Sequence, residues 1–271
     1  MCAAKRPIGI FDSGLGGLTV LKEINKEMPG ENTVYFGDSG RTPYGNKSPE
    51  TIVRYTRQIV RFLQEQQVKL IVIACNTVSA CAADIVRDIA GVPVVEVITP
   101  GAEAAVQATN NRRIGVIGTR NTITSEVYIR AIRDIAGPNI AIFQRACPMF
   151  VSLAEEGWWD NSIARAIAAE YLTPLIENDI DTLLLGCTHY PLLVGAISWV
   201  TGPAIRLINA GRRVADQVRA ALTEHDLINP AEHPPWYGFY TSDSTDQFQE
   251  MGSAFLKKPI DDVKRVNIEL Y

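Results

Sequence analysis

At 271 residues, 46% of them hydrophobic, the chain has enough apolar material to bury one large α/β core or two smaller ones without staples. Its 26 basic and 30 acidic residues give a formal charge of -4, and no run of lysine or arginine is present to track a phosphate backbone, so nucleic acid is excluded as an expected partner. The opening residues run straight into a strand-like segment and no later stretch is long enough to cross a bilayer, which excludes a secretory signal and a membrane anchor. Five cysteines, Cys2, Cys75, Cys81, Cys147 and Cys187, are an odd number without paired spacing. That pattern argues for a reducing compartment, with the cytoplasm as the expected location.

Taken in chain order, short β-branched or apolar runs alternate with longer amphipathic stretches, the rhythm of parallel strands covered by helices. Strands are predicted at 8–11, 33–36, 69–74 and 92–97, and again at 114–117, 140–143, 182–185 and 205–208. The two sets resemble each other in detail. Ile8-Gly9-Ile10-Phe11 is echoed by Ile114-Gly115-Val116-Ile117, 106 residues on, and Ile71-Val72-Ile73-Ala74-Cys75 by Leu183-Leu184-Leu185-Gly186-Cys187, 112 residues on. Such a weak duplication predicts an α/β fold of two pseudo-symmetric doubly wound lobes, with mainly parallel sheets and an active-site cleft between the lobes. A chance likeness of generic strand composition is the alternative. The tail, strand-like at 236–241 and helix-like at 244–256, has no counterpart in this scheme and must pack on one lobe. The expected division is 1–98 plus 211–271 for the first lobe and 99–210 for the second.

Ligands of doubly wound sheets bind outside the carboxyl ends of the strands, so the residues following each run carry the chemistry. After the first strand comes Asp12-Ser13-Gly14-Leu15-Gly16-Gly17, after the third Cys75-Asn76-Thr77, and after the third strand of the second lobe Cys187-Thr188-His189-Tyr190-Pro191. Each lobe therefore places one cysteine at the same strand end. Inverting an amino-acid α-carbon needs one group to remove a proton from one face and another of similar basicity to deliver a proton to the other. With an ordinary pKa near ~8.5, one thiol can be ionised while its partner stays protonated, if neighbours tune it. His189, two residues past Cys187 and on the same side of an extended segment, suits that tuning, and Asp12 suits it beside Cys75.

Other readings of the same residues remain open. Free cysteine is often simply buried, and Cys75 and Cys187 admit a disulfide or a metal site with His189, although the spacing fits no standard zinc pattern. The glycine loop with Asp38 beyond it is close to a dinucleotide fingerprint, which would make the chain a nicotinamide-dependent oxidoreductase. Against that, Thr19 stands where the third glycine belongs, and the charge of Asp12 would repel a pyrophosphate. The same loop fits a substrate ammonium at Asp12 and a carboxylate at the helix start. A non-catalytic two-lobed solute-binding protein would leave both cysteines unexplained. Cys2, Cys81, Cys147, His225 and His233 read as bystanders.

The motifs Phe11-Asp12-Ser13-Gly14-Leu15-Gly16-Gly17-Leu18, Asp38-Ser39, Pro43-Tyr44-Gly45, Ala74-Cys75-Asn76-Thr77 and Gly186-Cys187-Thr188-His189-Tyr190-Pro191 together resemble the glutamate racemase family of bacterial cell-wall synthesis, within the aspartate/glutamate racemase superfamily. The resemblance extends from Ile8 to about Arg213. It implies interconversion of L-glutamate and D-glutamate, supplying D-glutamate for peptidoglycan, with aspartate as the near alternative. It makes Cys75 the acid/base for the D-enantiomer and Cys187 that for the L-enantiomer, assisted by Asp12 and His189. It assigns substrate binding to Asp12, Ser13, Pro43, Tyr44, Gly45, Asn76, Thr77, Thr188 and His189. The family's Phe-Val-Pro-Leu-Val-Glu segment stands here as Phe150-Val151-Ser152-Leu153-Ala154-Glu155. Glu155 is then either an assisting acid or a solvated helix-end charge. Thr119, Thr122 and Thr124, after the second lobe's first strand, suit contact with a substrate carboxylate or capping of a helix. The resemblance further implies a homodimer, no pyridoxal phosphate or other cofactor, no metal, and a tail returning to the first lobe. With seven residues before the first strand, activation by a cell-wall precursor through an N-terminal extension is not expected.

Overall fold

The computed structural model describes residues 3–230 and 233–271. By compactness the chain divides into two units, Met1–Val97 with Gly211–Tyr271, and Ile98–Ala210. The described strands, in chain order, are β1 (Ile8–Asp12), β2 (Thr33–Gly37), β3 (Leu70–Ile73), β4 (Val94–Glu96), β5 (Arg113–Gly118), β6 (Ala141–Ala146), β7 (Thr182–Gly186), β8 (Arg206–Ile208), β9 (Tyr237–Thr241) and β10 (Val263–Arg265).

The first unit holds a sheet in the order β10-β9-β2-β1-β3-β4, and the second a sheet in the order β6-β5-β7-β8. Every pairing in both is parallel. The duplication read from the sequence is therefore present as topology: β2-β1-β3-β4 and β6-β5-β7-β8 are the same arrangement. It is also present as register. Ile8 lies opposite Leu70 in the first sheet and Ile114 opposite Thr182 in the second, so strands matched at offsets of 106 and 112 pair residue for residue in the same way. In each sheet the strand order reverses between the first and third strands, which makes the ends of β1 and β3, and of β5 and β7, the positions where ligands gather.

Strands β1, β2, β3 and β7 are buried along their whole length. Parallel strands covered on both faces read as continuous apolar runs for that reason. The covering helices are amphipathic. In Pro49–Glu65, Ile52, Thr56, Ile59, Val60 and Leu63 point to the sheet at helical spacing; Pro49 sits in the first turn, and the Ser48 hydroxyl caps it by accepting the Thr51 N–H. That stripe joins Phe36, Phe62 and Ile71 in one core, and Ile59→Ala there costs about 2–5 kcal/mol. The second unit's core gathers Phe150, Leu172, Leu183, Tyr190 and Ile197.

The tail packs on the first unit: β9 pairs with β2 from Tyr237↔Thr33 to Thr241↔Gly37, and the helix Thr245–Leu256 follows, capped by Ser244. Beyond it, β10 extends the sheet by one further strand that the sequence does not announce, since Val263-Lys264-Arg265 is short and largely exposed.

Candidate active site

In the first unit, β1 ends in Asp12, whose side chain is fully buried. Its Oδ2 accepts the Gly14 N–H at 3.2 Å, and the Gly14 carbonyl accepts the hydroxyl of Tyr35 at 2.8 Å. A Cβ at Gly17 would come within 2.6 Å of Asp12 Cβ and 2.9 Å of the Tyr35 oxygen, so glycine is required for the helix Leu18–Glu27 to start this close to the strand. The loop closes on its own acid. The Gly14 N–H that a pyrophosphate would use is thus engaged by Asp12.

Cys75 lies two residues beyond β3, at the N-cap of the helix Asn76–Ala90, and is 5% exposed. Its thiol donates to Ser13 Oγ at 3.5 Å. The N–H groups of a helix's first turn carry partial positive charge, which favours a thiolate at this position. Asn76 and Thr77, in that first turn, are buried too, as are Tyr44 and Gly45. Pro43 is exposed beside them. Burial, then the charges of Asp12 and Cys75, hold the Tyr35 hydroxyl well above its usual pKa. Burial, then Asp38, does the same to Tyr44, which hydrogen-bonds that carboxylate. Both phenols stay neutral and able to donate.

In the second unit, Cys187 follows β7 directly and is 6% exposed. The extended segment expected after it is a turn instead: the Tyr190 N–H donates to the Cys187 carbonyl at 3.1 Å, and a short 3-10 helix, Tyr190–Leu193, follows with Pro191 in its first turn. The turn still delivers His189 to the thiol, with Nδ1 3.8 Å from Sγ. Its Nε2 lies 3.2 Å from Glu155 Oε1. Glu155, the last residue of the helix Met149–Glu155, is thus no freely solvated helix-end charge, and Ser152 in place of the family's proline sits inside that helix. Burial alone would keep the His189 imidazole neutral, but Cys187 and Glu155 outweigh it and push the pKa up to about 10.

Tyr190 anchors the turn from below, its hydroxyl donating to the Cys147 carbonyl at 2.9 Å and its ring packed edge-on against Phe150. Burial, reinforced by Cys187 and opposed by Arg145, raises the Cys147 thiol far above the ordinary range. Cys147 is therefore held as a neutral, buried thiol. Thr119 caps the helix Arg120–Thr124 by accepting the Thr122 N–H, and its hydroxyl lies 3.0 Å from that of Thr122. Thr119, Thr122 and Thr188 are buried, whereas Thr124 is exposed. Cys81 is half-buried, Cys2 lies outside the described residues, and no cluster of three metal-ligating side chains occurs among the described residues.

The geometry thus assembles Asp12, Ser13, Tyr44, Gly45, Asn76 and Thr77 near Cys75, and His189, Glu155 and Thr188 near Cys187. Tyr35 and Arg41 were not read from the sequence. The need for glycine at position 17 is a signal for the first, whereas the partners of Arg41 lie far along the chain.

Two matched α/β units, each with a buried cysteine at the same strand end, place the chain in a defined class. It belongs to the Asp/Glu/hydantoin racemase family, whose sequence profile matches residues 8–224, and it is an isomerase of the racemase type. The glutamate racemase of Syntrophus aciditrophicus is 48% identical over 262 residues, 97% of each chain. That of Geobacter metallireducens is 47% identical over 264 residues, again 97% of each. Among solved structures, the glutamate racemase of Francisella tularensis, in complex with D-glutamate, superposes with a TM-score of 0.92 at 39% identity, covering 99% of this chain and 100% of that one. No described helix is long and apolar enough to cross a membrane.

Proposed function

We propose that the chain interconverts L-glutamate and D-glutamate without a cofactor, Cys187 and Cys75 serving as the two acid/bases, and so supplies D-glutamate for peptidoglycan. The observation that carries this reading is the pair of buried thiols following the register-equivalent strands β3 and β7. Cys75 has a helix N-terminus and Cys187 has His189. From L-glutamate, the Cys187 thiolate takes the α-proton and the Cys75 thiol delivers another to the opposite face; from D-glutamate the roles reverse. Each turnover leaves the two sulfurs with exchanged protonation, ready for the opposite direction.

Around them, Asp12 receives the ammonium and orders the glycine loop beside Cys75. His189, held by Glu155, compensates the negative charge at Cys187. Ser13, Tyr44, Gly45, Asn76, Thr77, Thr119, Thr122 and Thr188 supply short polar groups and backbone N–H donors for the two carboxylates, as suits a dicarboxylic amino acid. The D-glutamate bound to the Francisella relative and the names of the other relatives support glutamate over aspartate.

The test is Cys75→Ala and Cys187→Ala, made separately and assayed by circular dichroism with each enantiomer of glutamate and of aspartate. Each variant should lose at least about 1,000-fold in kcat, the scale of removing a positioned acid/base, while keeping the far-UV spectrum. A near-native rate from either variant contradicts the two-thiol assignment. Faster turnover of aspartate than glutamate by the native chain contradicts the substrate.

A further inference from the structure

The carboxyl-terminal segment, residues 237–271, has no counterpart in the second unit's sheet, which ends at β6 where the first continues through β9 and β10. That extra segment touches one loop repeatedly. Residues 38–46 run from the end of β2 to Tyr44 and Gly45. Within them, Ser39 Oγ lies 2.6 Å from Thr241 Oγ1 at the end of β9, and the Gly40 N–H donates to Ser242 Oγ at 3.0 Å. The Arg41 Nη1 donates to Glu269 Oε1 at 3.0 Å, within the last turn of the chain.

Arg41 is the centre of this arrangement. Its Nε reaches both oxygens of Asp38, at 3.1 and 2.8 Å, Nη1 also donates to Gln58 Oε1 at 2.5 Å, and its carbon lies 3.9 Å over the Tyr55 ring. Tyr55 packs against Tyr44 with ring centroids 5.6 Å apart, and the Tyr44 hydroxyl donates to Asp38. Asp38 is fully buried, so Arg41 is what balances a carboxylate that water does not reach. A continuous path of contacts thus runs from Glu269 through Arg41 and Asp38 to Tyr44. Glu269 is 65% exposed, which leaves the outer end of the path open to solvent.

We propose that this carboxyl-terminal segment sets the position of the substrate loop, with Arg41 as the positioning residue that transmits it to Tyr44 and Gly45. The inference rests on the reading that Tyr44 and Gly45 contact the substrate. It makes the tail part of the binding apparatus of the first unit and explains why the duplicated scheme carries an addition on one side only. A guanidinium with donors to three partners and a face on an aromatic ring performs this task in a way lysine does not.

The experiment compares KM, kcat and Tm for Tyr44→Ala, Arg41→Lys, Glu269→Ala, Glu269→Gln and Tyr271→Phe. Tyr44→Ala reports on the loop itself and should raise KM. Arg41→Lys should raise KM about 10-fold with kcat changed less than about 3-fold, since a displaced loop weakens binding more than chemistry. Glu269→Ala should raise KM about 3-fold, and Glu269→Gln, which keeps an acceptor for Nη1, should restore it. Tyr271→Phe removes a hydrogen bond from the same turn to Glu65 and should leave KM unchanged. If Tyr44→Ala leaves KM unaltered, the substrate-loop reading falls and takes this inference with it. If Tyr44→Ala raises KM while Arg41→Lys and Glu269→Ala leave it alone, or lower only Tm, the tail is structural and the inference alone is overturned. Should Arg41→Lys fail to fold, the contrast of Glu269→Ala with Glu269→Gln decides.

Discussion

Glu155→Gln is the substitution that isolates how His189 is held charged. The change keeps the shape of the side chain and removes its charge, 3.2 Å from the Nε2 of a histidine that is only 3% exposed. A hydrogen bond between charged partners contributes about 1.5–3 kcal/mol, and because Glu155 is itself 33% exposed, solvent screening favours the lower end. About 1.5 kcal/mol corresponds to roughly one pKa unit and one factor of ten in rate. The His189 pKa, about 10 in the native chain, should therefore fall by about one unit, and kcat by about 10-fold. The sign with pH follows from the raised value: the imidazolium's stabilising contribution is complete below its unfolded pKa of about 6.5 and is lost as pH rises through about 10. The alkaline limb of the kcat profile, recorded by circular dichroism with L-glutamate, should move to lower pH in the variant. The Tm difference between native and variant chains should be largest near pH 6 and vanish above about pH 10. A kcat within twofold of native with an unmoved alkaline limb would refute the claim that Glu155 acts through His189.

Gly17→Ala forces a Cβ against Asp12, Ala74 and the Tyr35 oxygen, and should destabilise by about 1–3 kcal/mol in urea titration while lowering kcat, because Asp12 moves with the loop. Tyr35→Phe leaves the buried Gly14 carbonyl without the Tyr35 donor; about 1–3 kcal/mol of stability should go in urea titration, with kcat reduced. Lys69 donates to Glu31 and to the carbonyls of Ala4 and Leu227, so Lys69→Met, which strands the buried Glu31 charge, should cost about 3–5 kcal/mol by urea titration, and Lys69→Met with Glu31→Leu should recover part of it.

Much of the fold was legible because parallel strands buried on both faces have no need of alternation and read as apolar runs of four to six residues. The likeness between β1 and β5, and between β3 and β7, was legible because those central strands sit at the switch point, where a glycine at Gly9 or Gly115 lets Val68 or Ile180 pack close. β10 was hidden because two of its three residues face solvent and carry no apolar signal. Within the site, Cys75, Cys187, Asp12 and His189 stood out because they lie at a strand end or within three residues beyond one. The contact of Glu155 with His189 spans 34 residues, and that of Arg41 with Glu269 spans 228, distances over which no local pattern reports. Only the resemblance drew attention to Glu155, and nothing drew it to Arg41. The turn at His189 differs from the extended segment expected because Pro191, two residues on, favours the first turn of a helix.

The central claim is that one sulfur removes the α-proton and a different one replaces it. Its most direct test is the native chain turning over L-glutamate in deuterium oxide, stopped at low conversion, with the α-position of both enantiomers read by NMR or mass spectrometry. The account predicts deuterium in the D-glutamate formed and protium retained in the L-glutamate left behind. Deuterium appearing in the residual L-glutamate as fast as in the product, or protium carried over into the D-glutamate, would contradict it.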